Sequence, residues 1–503
     1  MVLAARALVA ERQTVDDVFI FLRYARNLAT RGEYAFDPGV HVEGTSSAAW
    51  TLALAFAWRV GWRGLGAAKA MSLLVGLLVP ATCAWTVRRT LPGRPLLAAL
   101  PLLALAFDAD LATWVVSGMD TALWTLACVA CVALSVSSPR AAAFSLGLLA
   151  WVRPEGPLFA AAGVLALASD RRSLLRLTLL AVAPVAALTV LRAFYFHELV
   201  PNTFWAKMNA ADGKDYTGAR YVASAIARRP ALLVLLPTVA LPALRRPGSS
   251  PFRLAFALLG ASMLFAVAAG GDWMPDRRLL VVALPLAAVV SAYALAHVRA
   301  VVVAFATLTL VVEAALTFDH AIDQDWREHE WIDQRVASWR PVGRPFVEPY
   351  ALDWMPSHLL HAVAPYVAPG DVVAHVDVGE LPYVMGDVAF LDGFGLVDRE
   401  AGRLAFSPHD VALRAAARGA FFAARPVAVI VVLDESTGRP FSPAQDAVMD
   451  DPHFAAGWRE LSRVPTWGGH PCVVYVAKDA APAPEAIAQA RVRSWLSAVP
   501  DVQ

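Results

Sequence analysis

The sequence predicts a polytopic α-helical membrane protein followed by a C-terminal α/β domain, on three observations. Of 503 residues 58% are hydrophobic and only 17% charged, with a mean hydropathy of +0.52, too apolar for an ordinary soluble enzyme. Apolar runs, about ten of them, recur between Ala70 and Val312. Beyond Val312 the chain turns charged at DHAIDQDWREHE, and no later run is long enough to span a bilayer. The boundary is therefore drawn between a membrane domain, 1–318, and a soluble domain, 319–503.

The first element is an amphipathic helix that opens at Asp16 and Asp17, since Asp16, Ile20, Arg23 and Asn27 recur at helical spacing and acids suit the start of a helix dipole. Ahead of it, MVLAARALVAERQT neither spans nor makes a convincing signal peptide, so the expectation is a truncated start. Ala48–Trp62, with Trp50, Trp58 and Trp62, reads as a short interfacial or partly inserted helix. The apolar runs are Ala70–Val87, Pro95–Phe107, Thr121–Val136, Ala141–Val152, Gly156–Ser169, Leu177–Leu191, Pro230–Leu244, Leu254–Gly270, Leu279–Ala296 and Ala300–Val312. Ala141–Val152 and Gly156–Ser169 are too short to span and read as a helical hairpin around RPEG, buried in protein.

Arginines mark alternate short loops as cytoplasmic: Arg88 and Arg89, then Arg171, Arg172 and Arg176, then Arg245 and Arg246, then Arg299. The remaining loops face outward and hold nearly every unusual polar residue. The soluble domain then lies outside too. Its short valine-rich stretches, DVVAHVDV, YVMGDVAFL, PVAVIVVL and PCVVYVA, alternate with a helical pattern, HDVALRAAARGAFFAA, as an α/β domain requires.

Charge balance and cysteine usage exclude two classes of partner. With 43 basic against 42 acidic residues there is no large basic field, hence no nucleic-acid partner. Cys83, Cys128 and Cys131 lie in apolar runs, so neither a disulfide framework nor a CxxC metal site is expected.

The outward loops carry the chemistry. Asp16 and Asp17 are adjacent carboxylates, read either as a helix cap or as a base with its partner. Arg153 and Glu155 are either a mutual ion pair bracing the hairpin or site residues, since ionisable groups among spans are costly and usually functional. Asp120 begins a span, as a helix-start acid or a second carboxylate of the site. Arg277 and Arg278 run against the positive-inside trend, which an anionic ligand would explain, and Lys207 could join them. Carboxylates for base work beside guanidiniums for phosphate, above a bundle open to lipid, match group transfer from a lipid phosphate. Arg277, Arg278, Lys207 and Arg153 are assigned to the phosphate; Glu43, Asp120, Asp272, Trp273, Arg23, Glu155 and Asn202 to sugar or acceptor. The residues single out no certain cofactor, and a divalent cation between Asp16 and Asp17 stays an open alternative.

Six stretches resemble, in order, the GT-C superfamily glycosyltransferases akin to mycobacterial-type terminal arabinofuranosyltransferases. They are DDVFIFLRYARNLATRGEYAFDPGVHVEGTSSAAW, SGMDTALW, RPEGPLF, VPNTFWAK, GGDWMPDRRLLVVALP and VGELPYVMGDVAFLDGFGLVD. The resemblance implies a GT-C-like bundle and an inverting transferase, multi-pass in the inner or plasma membrane. It implies an extracytoplasmic active site that takes a polyprenyl-phosphate sugar, arabinofuranose in that family, to a glycan acceptor. It also implies a catalytic Asp in the first outward loop, which Asp16 and Asp17 match, Asp17 being the first choice. GTSS and MGDVAF depart from the family's pattern, so sugar and acceptor do not carry over. Two other classes compete. A polyprenyl-lipid transporter or flippase would explain buried charges, but the chain lacks the internal repeats of that class. An inactive membrane scaffold would suit the missing first helix.

Overall fold

In the computed structural model, the described residues are 15–209, 218–246, 248–272, 277–298, 355–375, 378–393, 395–404, 426–433, 452–464 and 472–499, besides Leu3, Met274 and Thr309. Helix α1, Asp17–Arg31, ends where Gly32 turns left-handed at φ 77°, with Arg31 in the last turn. Ser47 caps α2, Ala48–Arg59, by accepting from the Trp50 amide at 3.2 Å. Next come α3, Gly64–Thr90, and a run that breaks by 73° between Pro95–Ala106, whose α-helical part is α4, Ala99–Ala106, and α5, Ala109–Val115. Asp108 makes that break by capping α5, accepting from Leu111 at 2.9 Å.

Helices α6, Thr121–Ser135, α7, Pro139–Val152, and α8, Gly156–Leu167, are short and apolar. Helix α9, Arg171–Tyr195, is long enough to span. It crosses α7 at Gly147, where an added Cβ would sit 2.0 Å from the Ala181 carbonyl oxygen, so a small residue sets the separation. Helix α10, Asn202–Asn209, precedes a second broken run, in which α11, Gly218–Arg228, meets Ala231–Ala240 at 105°. Within the latter, α12 is Leu236–Ala240. The bundle closes with α13, Ser250–Ala268, and α14, Ala283–Leu295, the latter buried along its whole length.

Not every apolar segment is a span. Among the described residues four helices are long and apolar enough to cross a membrane, or up to six if each bent pair is one span. Short runs pack as partial helices, the Ala141–Val152 and Gly156–Ser169 hairpin among them, and the runs that end at Phe107 and begin at Pro230 each adjoin a further helix across a sharp bend. Ala300–Val312, but for Thr309, and both DHAIDQDWREHE and HDVALRAAARGAFFAA lie outside the described residues. In Ala48–Trp62, Trp50 and Trp58 are buried, with Trp50 Nε1 donating to the Gly118 carbonyl at 2.9 Å, while Phe56, Val60 and Trp62 are exposed, so one face packs the bundle and the other is open.

The C-terminal residues build a five-stranded sheet in the order β2-β1-β3-β5-β4. Its elements in chain order are α15, Met355–Val363; β1, Val372–His375; α16, Glu380–Val384; β2, Ala389–Asp392; α17, Arg399–Leu404; and β3, Val429–Leu433. They continue with α18, Pro452–Gly457; β4, Trp458–Val464; β5, Cys472–Ala477; and α19, Glu485–Ser497. Strand β1 pairs parallel with β2 and β3, while β5 runs antiparallel to β3 and β4. The four valine-rich stretches supply β1, β2, β3 and β5, but β4, WRELSRV, is a polar edge strand that hydropathy does not reveal.

Candidate functional site

Three loops of the bundle bring charge to one place. Asp17 stands at the first position of α1, and Asp120 at the N-terminus of α6. These two approach through Gly118, whose φ of 77° turns the chain and whose added Cβ would lie 3.0 Å from Val18 Cγ2. Gly270 and Gly271, at φ 74° and 87°, turn the third loop and deliver Asp272. Arg278 Nε lies 2.7 Å from Asp272 Oδ2, with its guanidinium 5.9 Å from the Trp114 ring centre. The carboxylates acting on Arg278 are Asp272, Asp17 and Asp120, in falling order of strength.

Asp120 is the unusual member. It is 1% exposed, and neither carboxylate oxygen has a hydrogen-bond partner among the described residues. A buried carboxylate left so costs free energy unless a ligand or a nearby cation compensates it, and Arg278 does so only at a distance.

A second cluster lies at the two helix breaks. Arg229 Nε is 2.7 Å from Asp108 Oδ2 and its Nη1 2.8 Å from Asp110 Oδ2, all three buried. Arg277 adopts φ 45°, which sends it away from Arg278: its Nη1 lies 3.9 Å from Asp110 and its Nε donates to Ser224 Oγ at 3.2 Å. Arg228 also acts on Asp110 and Arg277. Three guanidiniums thus face two carboxylates.

The other expected site residues are engaged elsewhere. Arg153 Nε and Glu155 Oε1 are 2.7 Å apart and buried, the arrangement that braces the hairpin. Glu43 takes Arg192 bidentately, at 2.6 Å and 3.0 Å; burial pushes the Glu43 carboxyl up, while Arg192 holds it down. Asn202 Nδ2 donates to the carbonyls of Gly395 (2.7 Å), Leu396 (3.0 Å) and Asp398 (3.0 Å). Asp16 Oδ1 accepts from the Glu380 amide at 2.8 Å.

Arg23 is engaged between the first helix's loop and the C-terminal residues. The side chain is fully buried, and its donors go to Phe36 O (2.9 Å), Val388 O (2.9 Å), Met385 O (3.4 Å), Pro382 O and Asp37. Burial lowers its pKa and Asp37 opposes the drop. Trp273 and the side chain of Lys207 lie outside the described residues. Among the described residues no group of three or more His, Cys, Asp or Glu could hold a metal ion.

Sequence reasoning missed Arg192, Arg229, Asp37 and Glu380. Arg192 was detectable, since it is the lone charge in the apolar stretch from Leu177 to Tyr195 and so needs an acidic partner. Arg229 sits beside Pro230 at a helix break, also a readable signal.

Residues 351–481 match a family described as a domain of unknown function, DUF8728. No curated protein matches the chain. Among solved structures, the crystal structure of ArnT from Cupriavidus metallidurans bound to undecaprenyl phosphate is similar, with a TM-score of 0.56 and 12% identity. The likeness covers 95% of this chain and 98% of that one, membrane bundle and C-terminal residues together. It shows the fold, that of a polytopic membrane protein.

Proposed function

We propose that the chain is an integral-membrane glycosyltransferase that moves a sugar from a polyprenyl-phosphate donor to a hydroxyl of an extracytoplasmic glycan, with inversion. The observation that carries this reading is the convergence of Asp17, Asp120 and Asp272 on Arg278. The shared fold with ArnT, solved with undecaprenyl phosphate, supports a lipid phosphate as the leaving group.

In the reaction the acceptor oxygen attacks the anomeric carbon as its proton passes to Asp17. The bond from that carbon to the phosphate oxygen breaks, and the lipid phosphate leaves with the electron pair. Asp120 and Asp272 accept hydrogen bonds from sugar hydroxyls, which gives Asp120's buried oxygens their partners. Arg277 receives the phosphate, and Arg278 holds the carboxylates together. Arabinofuranose, the sugar of the resembled family, is the donor to test first, and the plasma or inner membrane is the setting.

Asp17→Asn tests this in full-length protein reconstituted in liposomes with a polyprenyl-phosphate arabinofuranose donor. Asn keeps the shape but not the basicity, so transfer should fall about 10²–10⁴-fold with insertion unchanged. Near-normal turnover would reduce Asp17 to a helix-start acid and remove the assignment.

A further inference from the structure

The opening carboxylates are neighbours in sequence, but the structure gives them different surroundings. Successive residues of an α-helix point about 100° apart, and the pair takes different targets. Asp16 faces the C-terminal domain, where its Oδ1 accepts the Glu380 amide at 2.8 Å across 364 residues of chain. Asp17 faces the cluster around Arg278.

The contact at Asp16 leaves no spare room. A Cβ added to Gly379 would lie 1.9 Å from Asp16 Oδ2, 2.2 Å from its Cγ and 2.3 Å from its carbonyl oxygen. Gly379 has φ −90°, outside the left-handed region, so the close approach is the feature that calls for glycine. The carbonyl it touches accepts from the Phe19 amide at 3.0 Å, within the first turn of α1. One helical turn and two further on, the same strip continues. The Tyr383 ring lies 5.5 Å from that of Phe19, Arg26 Nη1 donates to Tyr383 O at 2.9 Å, and Gly386 admits the Arg26 guanidinium closely.

We propose that the Gly379–Glu380 turn of the C-terminal domain is a positioning element: by holding Asp16 and the first turn of α1, it aims Asp17 at the reacting atoms. This rests on Asp17 as the base, and it makes Asp16 a fixing group. The bundle's site is therefore completed by the domain that follows it in sequence, and an undocked domain leaves Asp17 misaimed.

The test uses the full chain in lipid nanodiscs, with hydrogen exchange read over residues 17–22 and 379–385. Gly379→Ala should speed exchange in both segments about tenfold or more, since hydrogen bonds to charged groups shift opening by that order. With a polyprenyl-phosphate arabinofuranose donor, its kcat should fall about a hundredfold, the usual consequence of displacing a reacting group by about 1 Å. Its KM and its binding of undecaprenyl phosphate should stay within about twofold, because the donor contacts are untouched. Asp16→Asn keeps the accepting oxygen and should keep Glu380 protected; Asp16→Leu should not. Unchanged exchange in Gly379→Ala, or equal opening in Asp16→Asn and Asp16→Leu, overturns the proposal. If Asp17→Asn were fully active the function would fall, and the exchange measurements would still decide the positioning.

Discussion

Replacing Arg23 with Met should release the C-terminal domain from the bundle without touching the reacting groups. Arg23 is fully buried and joins Phe36 and Asp37, in the loop after α1, to the carbonyls of Pro382, Met385 and Val388, 359 to 365 residues away. Methionine fills a similar stem volume but donates nothing, so those acceptors lose their partner at once. Asp37 keeps one bond, from the Phe390 amide at 3.0 Å, and is 14% exposed, which softens its loss. Breaking a buried ion pair from one side costs about 3–5 kcal/mol, and the lower end applies here because Asp37 retains that bond. About 3 kcal/mol corresponds to roughly a hundredfold change in the docking equilibrium. Hydrogen exchange over residues 382–390 reads that opening directly, and limited proteolysis between the bundle and the sheet supplies a second reading. A double-mutant cycle with Asp37→Asn should give a coupling of about 1 kcal/mol or more. Wild-type exchange in Arg23→Met would refute the clamp.

The second cluster supports two further predictions. Arg229→Leu leaves Asp108 and Asp110 buried beside each other without their main counter-charge, which should cost about 3–5 kcal/mol and appear as a lowered melting temperature in detergent. Arg277→Gln should weaken binding of undecaprenyl phosphate roughly ten- to a hundredfold, whereas Arg278→Gln should chiefly lower kcat. Equal binding losses in both would mean that the phosphate sits between them.

Much of the fold was legible because it follows from burial. Apolar runs placed the long helices α3, α9 and α13, and valine-rich alternation placed β1, β2, β3 and β5. The runs that end at Phe107 and begin at Pro230 stop at the two breaks, but the helices across them, Ala109–Val115 and Gly218–Arg228, were not legible. Their polar and charged residues, Asp110 and Arg220 among them, hide helices in what reads as loop. Strand β4 escaped because its stability comes from pairing with β5, not from its own composition.

The site was legible in kind but not in allotment. Charges near spans announce themselves by rarity, so Asp17, Asp120, Asp272 and Arg278 were all visible as unusual. Partner choice depends on contacts between residues far apart in sequence, such as Glu43 with Arg192 or Arg23 with Val388. Hence several residues expected to grip sugar instead hold elements together.

The two clusters differ in sign, and the difference orders the site. Around Arg278 stand three carboxylates, an excess of negative charge suited to hydroxyl groups and to taking a proton. Around Asp108 and Asp110 stand Arg228, Arg229 and Arg277, an excess of positive charge suited to an anion. In a low-dielectric bundle an anion would be repelled from the first and drawn to the second. Arg277 and Arg278 are adjacent in sequence, and the left-handed backbone at Arg277 turns one guanidinium toward each cluster. Tyr221 stands between them, accepting from the Leu279 amide at 3.3 Å while sensing Asp272, Arg277 and Arg278 together. On the proposed function, a sugar phosphate would fit this polarity with its phosphate toward the helix breaks and its sugar toward Asp17. That orientation would turn the face of the anomeric carbon opposite the leaving oxygen toward Asp17, as an inverting transfer requires.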